Sequence, residues 1–331
     1  MSNNRPNLSI VIPLFNEEAV LPALISRLQK ALHDFPAAVE CLLIDDGSSD
    51  ATPSLLLEVA QTDTRFRCQI LSRNFGHQVA ISTGLASARG DVVLVMDGDL
   101  QDPPELITQL YAKVLEGNDV VYAVRRSRRE GLLKRFCYWS FYRVLRVMTD
   151  VPIALDSGDF CAMSRRFVNH MNAMPERHRF LRGLRAWVGF QQTQFPYDRD
   201  ERAAGVPKYT LAKLLGLALD GVFTMSEKPL RIATLTGTVV AGISLLAAMR
   251  IILWRMMNEG DLPGYASLAT GIFFLGGLQL ITIGILGEYV GRIHNEVKGR
   301  PVFIVKDEIG IGLSKVKKDP LLTTQQLPAA G

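Results

Sequence analysis

Residues 92–105 read VVLVMDGDLQDPPE, and this stretch decides the fold. Val92 to Met96 is a short, unbroken apolar run, the signature of a strand buried on both faces of a parallel sheet. It stops at Asp97, and Asp97-Gly98-Asp99 then sets two carboxylates on either side of one glycine. In open α/β sheets, ligands gather beyond the carboxyl ends of the strands. Two carboxylates held this close repel each other unless a cation sits between them. Oxygen donors of this kind suit Mg²⁺ or Mn²⁺, which keep waters and bridge to substrate phosphates. A strand-end cation site is the first expectation.

Working outward, the same grammar recurs. Leu8–Ile12, Cys41–Ile44, Gln69–Leu71 and Val120–Val124 are further short apolar runs, and each is predicted to be a strand. Helical patterns fall between them at Glu18–Leu32, Pro53–Ala60, Gln78–Ala88 and Pro104–Leu115. The alternation predicts a mostly parallel sheet covered on both faces. After the first strand come Pro13, Leu14, Phe15, Asn16, Glu17 and Glu18, where Asn16 has the chemistry of a helix N-cap. After the second come Asp45-Asp46-Gly47-Ser48, readable as a turn with a cap or as a second acidic binding turn. No G-x-G-x-x-G or G-x-x-x-x-G-K-[ST] is present, which argues against a dinucleotide fold and a P-loop enzyme. Neither a serine nucleophile elbow nor H-E-x-x-H occurs.

Beyond residue 231 the pattern changes. Ile232 to Met249 reads IATLTGTVVAGISLLAAM without a charge, and Arg250 is followed by Ile251 to Trp254. At helical rise, Ile232 to Trp254 spans roughly 34 Å, enough for a hydrocarbon core of about 30 Å. A second uncharged stretch runs from Leu262 to Gly287. The two predict a transmembrane hairpin, over about 232–254 and 265–287. Lys228 and Arg231 precede it and Arg292, Lys298 and Arg300 follow, whereas the connector holds Arg255 against Glu259 and Asp261. That asymmetry predicts both termini on the cytoplasmic side of the inner (plasma) membrane. Of 331 residues, 48% are hydrophobic, and the net charge is only +4, which excludes a disordered chain. The 4 cysteines form no C-x-x-C pair, so neither zinc nor a redox dithiol is indicated.

One basic stretch stands out. Arg125, Arg126, Arg128, Arg129, Lys134, Arg135, Arg143 and Arg146 are interleaved with Phe136, Tyr138, Trp139, Phe141 and Tyr142. Basic and aromatic residues at helical spacing describe a helix lying among lipid headgroups, here about 131–148. Nucleic acid favours the same mixture, but beside two spans the lipid surface is the better reading, and no nucleic-acid partner is expected. A second interfacial helix is expected at about 208–223. Arginine forks bind phosphate oxygens in pairs, so Arg125 and Arg128 are candidates for an acceptor phosphate.

The segments VIPLFNEE, LLIDDGSSD, LSRNFGHQVAISTGL and VLVMDGDLQDPPE, in this order, resemble the inverting nucleotide-sugar transferases of A-type fold. More narrowly, the chain resembles the polyprenyl-phosphate glycosyltransferases, the group that includes dolichol-phosphate mannose synthase and bactoprenol glucosyltransferase. ALDSGDFCAMSR, MPERHRFLRGLRAWVGF, Lys208-Tyr209 and the C-terminal spans match its bacterial branch. The resemblance implies an α/β catalytic domain with a Rossmann-like, mostly parallel sheet, over 1–225. Two spans over 226–298 and a cytoplasmic tail over 299–331 would follow.

It also implies roles. Pro13, Phe15 and Glu17 would surround the base, with Asp45 and Asp46 beside base or ribose. Asp97, Asp99 and Gln101 would hold the metal, with Gly98 between them in the donor site. Asn74 and His77 would approach donor phosphate or sugar, and Arg199, Arg202 and Lys208 would close over the diphosphate. Asp156 and Asp159 fall where transferases of this fold carry a base, or would position the sugar or an arginine instead.

The expected reaction is hexosyl transfer, glucose from a uridine-diphosphate donor before others, onto polyprenyl (undecaprenyl) phosphate with inversion. Mannose from GDP-mannose and a modified arabinose are the alternatives within that class. An inactive lipid-binding scaffold, a polymer synthase and a flippase are weaker readings, since the acidic motif is intact and neither a Q-x-x-R-W motif nor extra spans occur. Gly287-x-x-x-Gly291, with Gly276, Gly277 and Gly284, offers a close-packing face, so a homo-oligomer is expected.

Overall fold

A computed structural model describes residues 5–126, 157–177, 179–198, 223, 226–257 and 264–310. Those residues fall into two compact units. One holds a sheet with its helices and the stretch from Arg300 onward, and the other holds two long helices.

Five strands lie where the apolar runs predict them: β1 (Leu8–Leu14), β2 (Val39–Asp45), β3 (Phe66–Leu71), β4 (Val92–Val95) and β5 (Val120–Arg125). Between them run α1 (Leu21–Ala31), α2 (Thr52–Thr62), α3 (His77–Ser87) and α4 (Ile107–Leu115), the last preceded by a 3-10 turn at Pro104–Leu106. Three further strands complete the sheet: β6 (Ser157–Ser164), β7 (Gln192–Tyr197) and β8 (Val305–Ile309). Helices α5 (Arg165–Ala173) and α6 (Leu181–Val188) join β6 to β7. The eight strands run in the order β7-β5-β6-β4-β1-β2-β3-β8.

The pairings of β1 with β2 and β4, of β2 with β3 and of β5 with β7 are parallel, so the expected mostly parallel α/β sheet is present. Strand β6 runs antiparallel between β4 and β5, and β8 antiparallel along β3. Every residue of β1 is buried, as a central strand covered on both faces requires. Leu8, Ile10, Ile12 and Leu14 enter one core with Leu21, Leu24 and Leu28 of α1. On the other face α3 lies so close to β1 that a Cβ on Gly84 would meet Val11 Cγ1 at 2.2 Å.

Two local expectations are corrected. Asn16 does not cap α1, which starts at Leu21 after Val20 with a proline in its first turn. Asn16 instead adopts φ 53°, and its side-chain oxygen accepts from the Ser49 N–H at 2.9 Å. Its short amide tolerates the left-handed region and ties the end of β1 to the turn after β2. The stretch after residue 299, expected as a tail, supplies β8.

In the second unit, α7 (Lys228–Met257) and α8 (Tyr265–Val297) cover both predicted spans. Lys228–Trp254 and Thr270–Val297 are long and apolar enough to cross a membrane, and neither is buried within the protein. Ile243, Leu246 and Phe273 stand 62%, 67% and 80% exposed, which in water would be an aggregation surface. Both expected interfacial helices lie outside the described residues, apart from Phe223, whose ring packs edge-on against Tyr289.

Candidate active site

Turns leaving β1, β2, β3 and β4 converge at one end of the sheet. The turn after β2 is built by its own acids. Asp45 is fully buried and accepts from the Ser48 N–H and hydroxyl. Asp46, 3% exposed, accepts from the Phe75 N–H at 2.7 Å and the Gly76 N–H at 2.9 Å. Burial raises both carboxyls above their ordinary value, although these hydrogen bonds oppose it. The two carboxylates thus fasten the turn after β2 and the approach to α3. Pro13 is buried, Glu17 half-buried, and Phe15 exposed at the mouth. The Glu17 N–H donates to Thr52 Oγ1 at 3.0 Å, while Asn74 is exposed beside Arg73, which stacks on the Phe75 ring.

Past β4 the chain makes a strained turn. Leu100 has φ 61°, costly for a branched side chain, and is 6% exposed. Pulling Leu100 into the core leaves Asp99 and Gln101 half-buried on either side. The Gln101 N–H donates to Asp99 Oδ1 at 3.1 Å. Asp102, 2% exposed, accepts from the Tyr197 hydroxyl at 2.7 Å and more loosely from the Asp97 N–H at 3.4 Å. Tyr197 ends β7, so this bond fixes the acidic turn to a distant strand.

Asp97 is the electrostatic centre. Its Oδ1 is buried and makes no hydrogen bond. Burial first, then the charge of Asp102, with Asp159 and Asp99 adding, pushes its pKa up to about 7 despite the opposing pull of His77. A carboxylate oxygen hidden from water, without a hydrogen bond and ringed by other acids, has the chemistry of a cation ligand. The residues fit Mg²⁺ or Mn²⁺ held by Asp97 and Asp99. Among the described residues no three His, Cys, Asp or Glu side chains form a closed metal cage. A site of two carboxylates completed by waters and a substrate phosphate is how Mg²⁺ is usually held.

Antiparallel β6 brings in Asp159. Cys161 lies opposite Val95, so Asp159 falls beside the chain as it leaves β4. Its side chain is 7% exposed and lies in a bidentate pair with Arg182, at 3.0 Å and 3.1 Å. Arg185, 3% exposed, approaches Asp159 Oδ1 at 3.8 Å. His77 Nε2 stands 3.3 Å from Asp159 Oδ2 and 3.6 Å from Asp97 Oδ1. Burial alone would raise the Asp159 carboxyl, but the Arg182 charge, the His77 and Arg182 hydrogen bonds and Arg185 hold it well below the usual range. Burial lowers the His77 pKa, yet the Asp159 bond and the two acids raise it overall.

Of the expected residues, Asp97, Gly98, Asp99, Gln101, His77 and Asp159 come together with the turns of Asp45–Asp46 and Asn74. Arg125 ends β5. Asp156, Arg128, Arg199, Arg202 and Lys208 lie outside the described residues. Sequence reasoning missed Asp102, Tyr197, Gln78, Arg182 and Arg185. The signal for the two arginines was present as R-x-x-R in FLRGLRAW, a spacing that puts both on one face of α6.

Residues 9–171 match the family model described as glycosyl transferase family 2. An uncharacterized glycosyltransferase of Synechocystis is 44% identical over 94% of this chain and 98% of its own. A prophage-derived bactoprenol glucosyl transferase of Shigella flexneri is 41% identical over 90% of this chain and 97% of its own. Among solved structures, a mannosyltransferase of Pyrobaculum calidifontis with GDP-Man and Mn2+ is 19% identical, covers 90% and 89% of the two chains and superimposes with a TM-score of 0.46. At more than 40% identity along nearly the whole of two relatives, this chain belongs to glycosyl transferase family 2.

Proposed function

We propose that the protein transfers a glucosyl group from UDP-glucose to polyprenyl phosphate, with inversion at the anomeric carbon. The observation that carries the reading is the buried, unbonded Asp97 oxygen beside Asp99, in a chain 41% identical along 97% of a bactoprenol glucosyl transferase. Turns 13–17 and 45–48 would receive the base and ribose, with Asn74 and His77 toward the diphosphate and sugar. Asp97 and Asp99, with Gln101 beside them, would hold Mg²⁺ or Mn²⁺, whose chemistry when bound is neutralisation of charge on the departing diphosphate. A lipid phosphate oxygen attacks the anomeric carbon, the bond from that carbon to the UDP oxygen breaks, and UDP leaves with the electron pair. Arg125 and Arg128 would steady the acceptor phosphate, and Arg199, Arg202 and Lys208 the donor diphosphate. Holding both partners in line lowers the barrier by several kcal/mol.

Membrane placement is supported by chain connectivity. The polypeptide leaves the sheet unit, runs through α7 and α8, and returns to pair β8 with β3. Two consecutive crossings that begin and end in one folded body form a hairpin whose outer ends share a side of the membrane. The flanking Lys and Arg residues would put that side in the cytoplasm. Catalysis next to a bilayer is where a polyprenyl phosphate would be met.

The test is direct. Purified protein is offered radiolabelled UDP-glucose, GDP-mannose and other nucleotide sugars, with polyprenyl phosphate and Mg²⁺ or Mn²⁺. The proposal expects a lipid-linked product from UDP-glucose, dependent on Asp97. No lipid product from any donor, or undiminished product from Asp97→Ala, sinks it.

A further inference from the structure

Arg182 lies behind the acidic cluster, in specific surroundings. It sits in the first turn of α6, whose leading N–H, on Leu181, is accepted by Gln78 Oε1 at 3.1 Å. The same Gln78 reaches Asp159 Oδ2 with its Nε2 at 3.4 Å. The start of α3 therefore docks α6 against the buried Asp159, and Arg182 covers both oxygens of that carboxylate. The next group along is His77, whose Nε2 lies between Asp159 Oδ2 and Asp97 Oδ1, at 3.3 Å and 3.6 Å. With Nε2 protonated, one N–H faces two carboxylate oxygens. How it is shared depends on how far Asp159 is satisfied from its other side.

We propose that Arg182 is a positioning residue of the cation site. Acting through Asp159, it keeps the His77 imidazole placed between Asp159 and Asp97, beside the point where a divalent cation and the donor diphosphate would be held. Without the guanidinium, Asp159 is a buried anion short of its bidentate partner. It draws His77 wholly to itself, and the imidazole leaves its place 3.6 Å from Asp97 Oδ1. This inference rests on the cation-site reading of Asp97 and Asp99. Groups that orient a metal-binding residue typically change metal affinity or activity by about 10- to 100-fold when removed. Arg182→Lys keeps the charge but not the planar fork that meets both oxygens, so it should recover only part of the loss.

The experiment uses the full-length protein in detergent and two readouts. Mn²⁺ affinity is measured from the free-ion resonance signal in an equilibrium titration, and transfer from labelled UDP-glucose is measured alongside. The variants are Arg182→Met, Arg182→Lys, Asp159→Asn and the double variant Arg182→Met/Asp159→Asn. Arg182→Met is expected to weaken Mn²⁺ binding and turnover by about 10- to 100-fold, with Arg182→Lys in between. In the Asp159→Asn background the same change should cost under about twofold, because the residue it acts through is gone. Wild-type Mn²⁺ affinity in Arg182→Met, or losses that multiply in the double variant, overturns the proposal. Should Arg182→Met fail to fold, Arg182→Lys with wild-type Mn²⁺ affinity and turnover does the same. A wild-type protein that transfers no glucose refutes the glucosyl reading alone, and the Mn²⁺ titration still decides the role of Arg182.

Discussion

Gly47 sits in the acidic turn after β2, and replacing it by alanine should unfasten the proposed donor site. The residue has φ +69°, in the left-handed region, where a Cβ costs about 1–2 kcal/mol. That Cβ would also lie 2.4 Å from the Arg73 carbonyl carbon and 2.7 Å from the Asn74 nitrogen. Both are backbone atoms, so no side chain can rotate away. Relieving such an overlap costs about 1–3 kcal/mol. The sum is about 2–5 kcal/mol. At about 2–4 °C per kcal/mol for a domain of this size, melting should fall by roughly 4–20 °C.

The site should suffer more than stability does. Arg73 and Asn74 lead directly into Phe75 and Gly76, whose N–H groups hold Asp46, and then into His77. A backbone displaced by about 1 Å at reacting groups can cost roughly 100-fold in rate. Gly117→Ala is the control. Its φ is +102°, yet nothing lies within 4 Å of an added Cβ, and it is remote from the acidic turns. It should cost only the conformational part and leave transfer unchanged. Thermal melting at one scan rate and transfer of labelled sugar to polyprenyl phosphate measure both effects. Should Gly47→Ala melt with Gly117→Ala and keep transfer within threefold of wild type, the close approach of these two turns is not what builds the site.

Asp97→Ala and Asp99→Ala should each reduce transfer at least about 100-fold, read in the same assay, while melting stays within a few degrees of wild type. Tyr197→Phe removes a 2.7 Å donor from buried Asp102 and should cost about 1–3 kcal/mol, with a larger fall in turnover than in melting, measured on one preparation. Glu40 carries the acid dependence of the opposite end of the sheet. Burial would raise its carboxyl, but hydrogen bonds from Ser9 and Arg89, and the charge of Arg89, bring it below 4.5. Its contribution is thus complete above about pH 4.5 and is lost as pH falls through the lowered folded value. Glu40→Gln should be about 3–5 kcal/mol less stable at pH 7 and show a flatter fall below pH 4.5, followed by melting across pH 3–8.

The central strands were legible because they are simple. Strands β1 and β4 are buried on both faces and read as continuous apolar runs, and the spans are apolar on every face for more than twenty residues. The edges were not legible, for the same physical reason in reverse. Strand β7 carries Gln192, Gln194 and Pro196, and proline is tolerated only where a ladder N–H is unused. Strand β8 is VKDEI, charged along its middle as edge strands are. Local composition therefore speaks against both. Strand β6 reverses direction between two parallel neighbours, and its partners lie about 30–70 residues away in sequence. The acids of the site were legible because a strand end followed by Asp-x-Asp is a local pattern. Their arginine partners on α6 were not, because the pair of Asp159 with Arg182 exists only once β6 and α6 have folded together.

That pair bears on the choice of acceptor. A sugar hydroxyl must lose a proton as it attacks, and the group taking it works best with a pKa near the operating pH. The family resemblance would make Asp159 a candidate for such a base, but the Arg182 charge and its two bonds hold the carboxyl well below the usual range. A carboxylate so stabilised as an anion takes up a proton with little driving force. A phosphate monoester, with its second pKa near 6, arrives already ionised at neutral pH and needs no base. The clamped Asp159 is thus matched to a phosphate acceptor rather than an alcohol. If so, Asp159→Asn should impair transfer through the positioning of His77, and the loss should be the same at pH 6.5 and pH 8.5. A loss that grows steadily toward low pH in the wild type, and disappears in Asp159→Asn, would instead show Asp159 taking the proton of an acceptor.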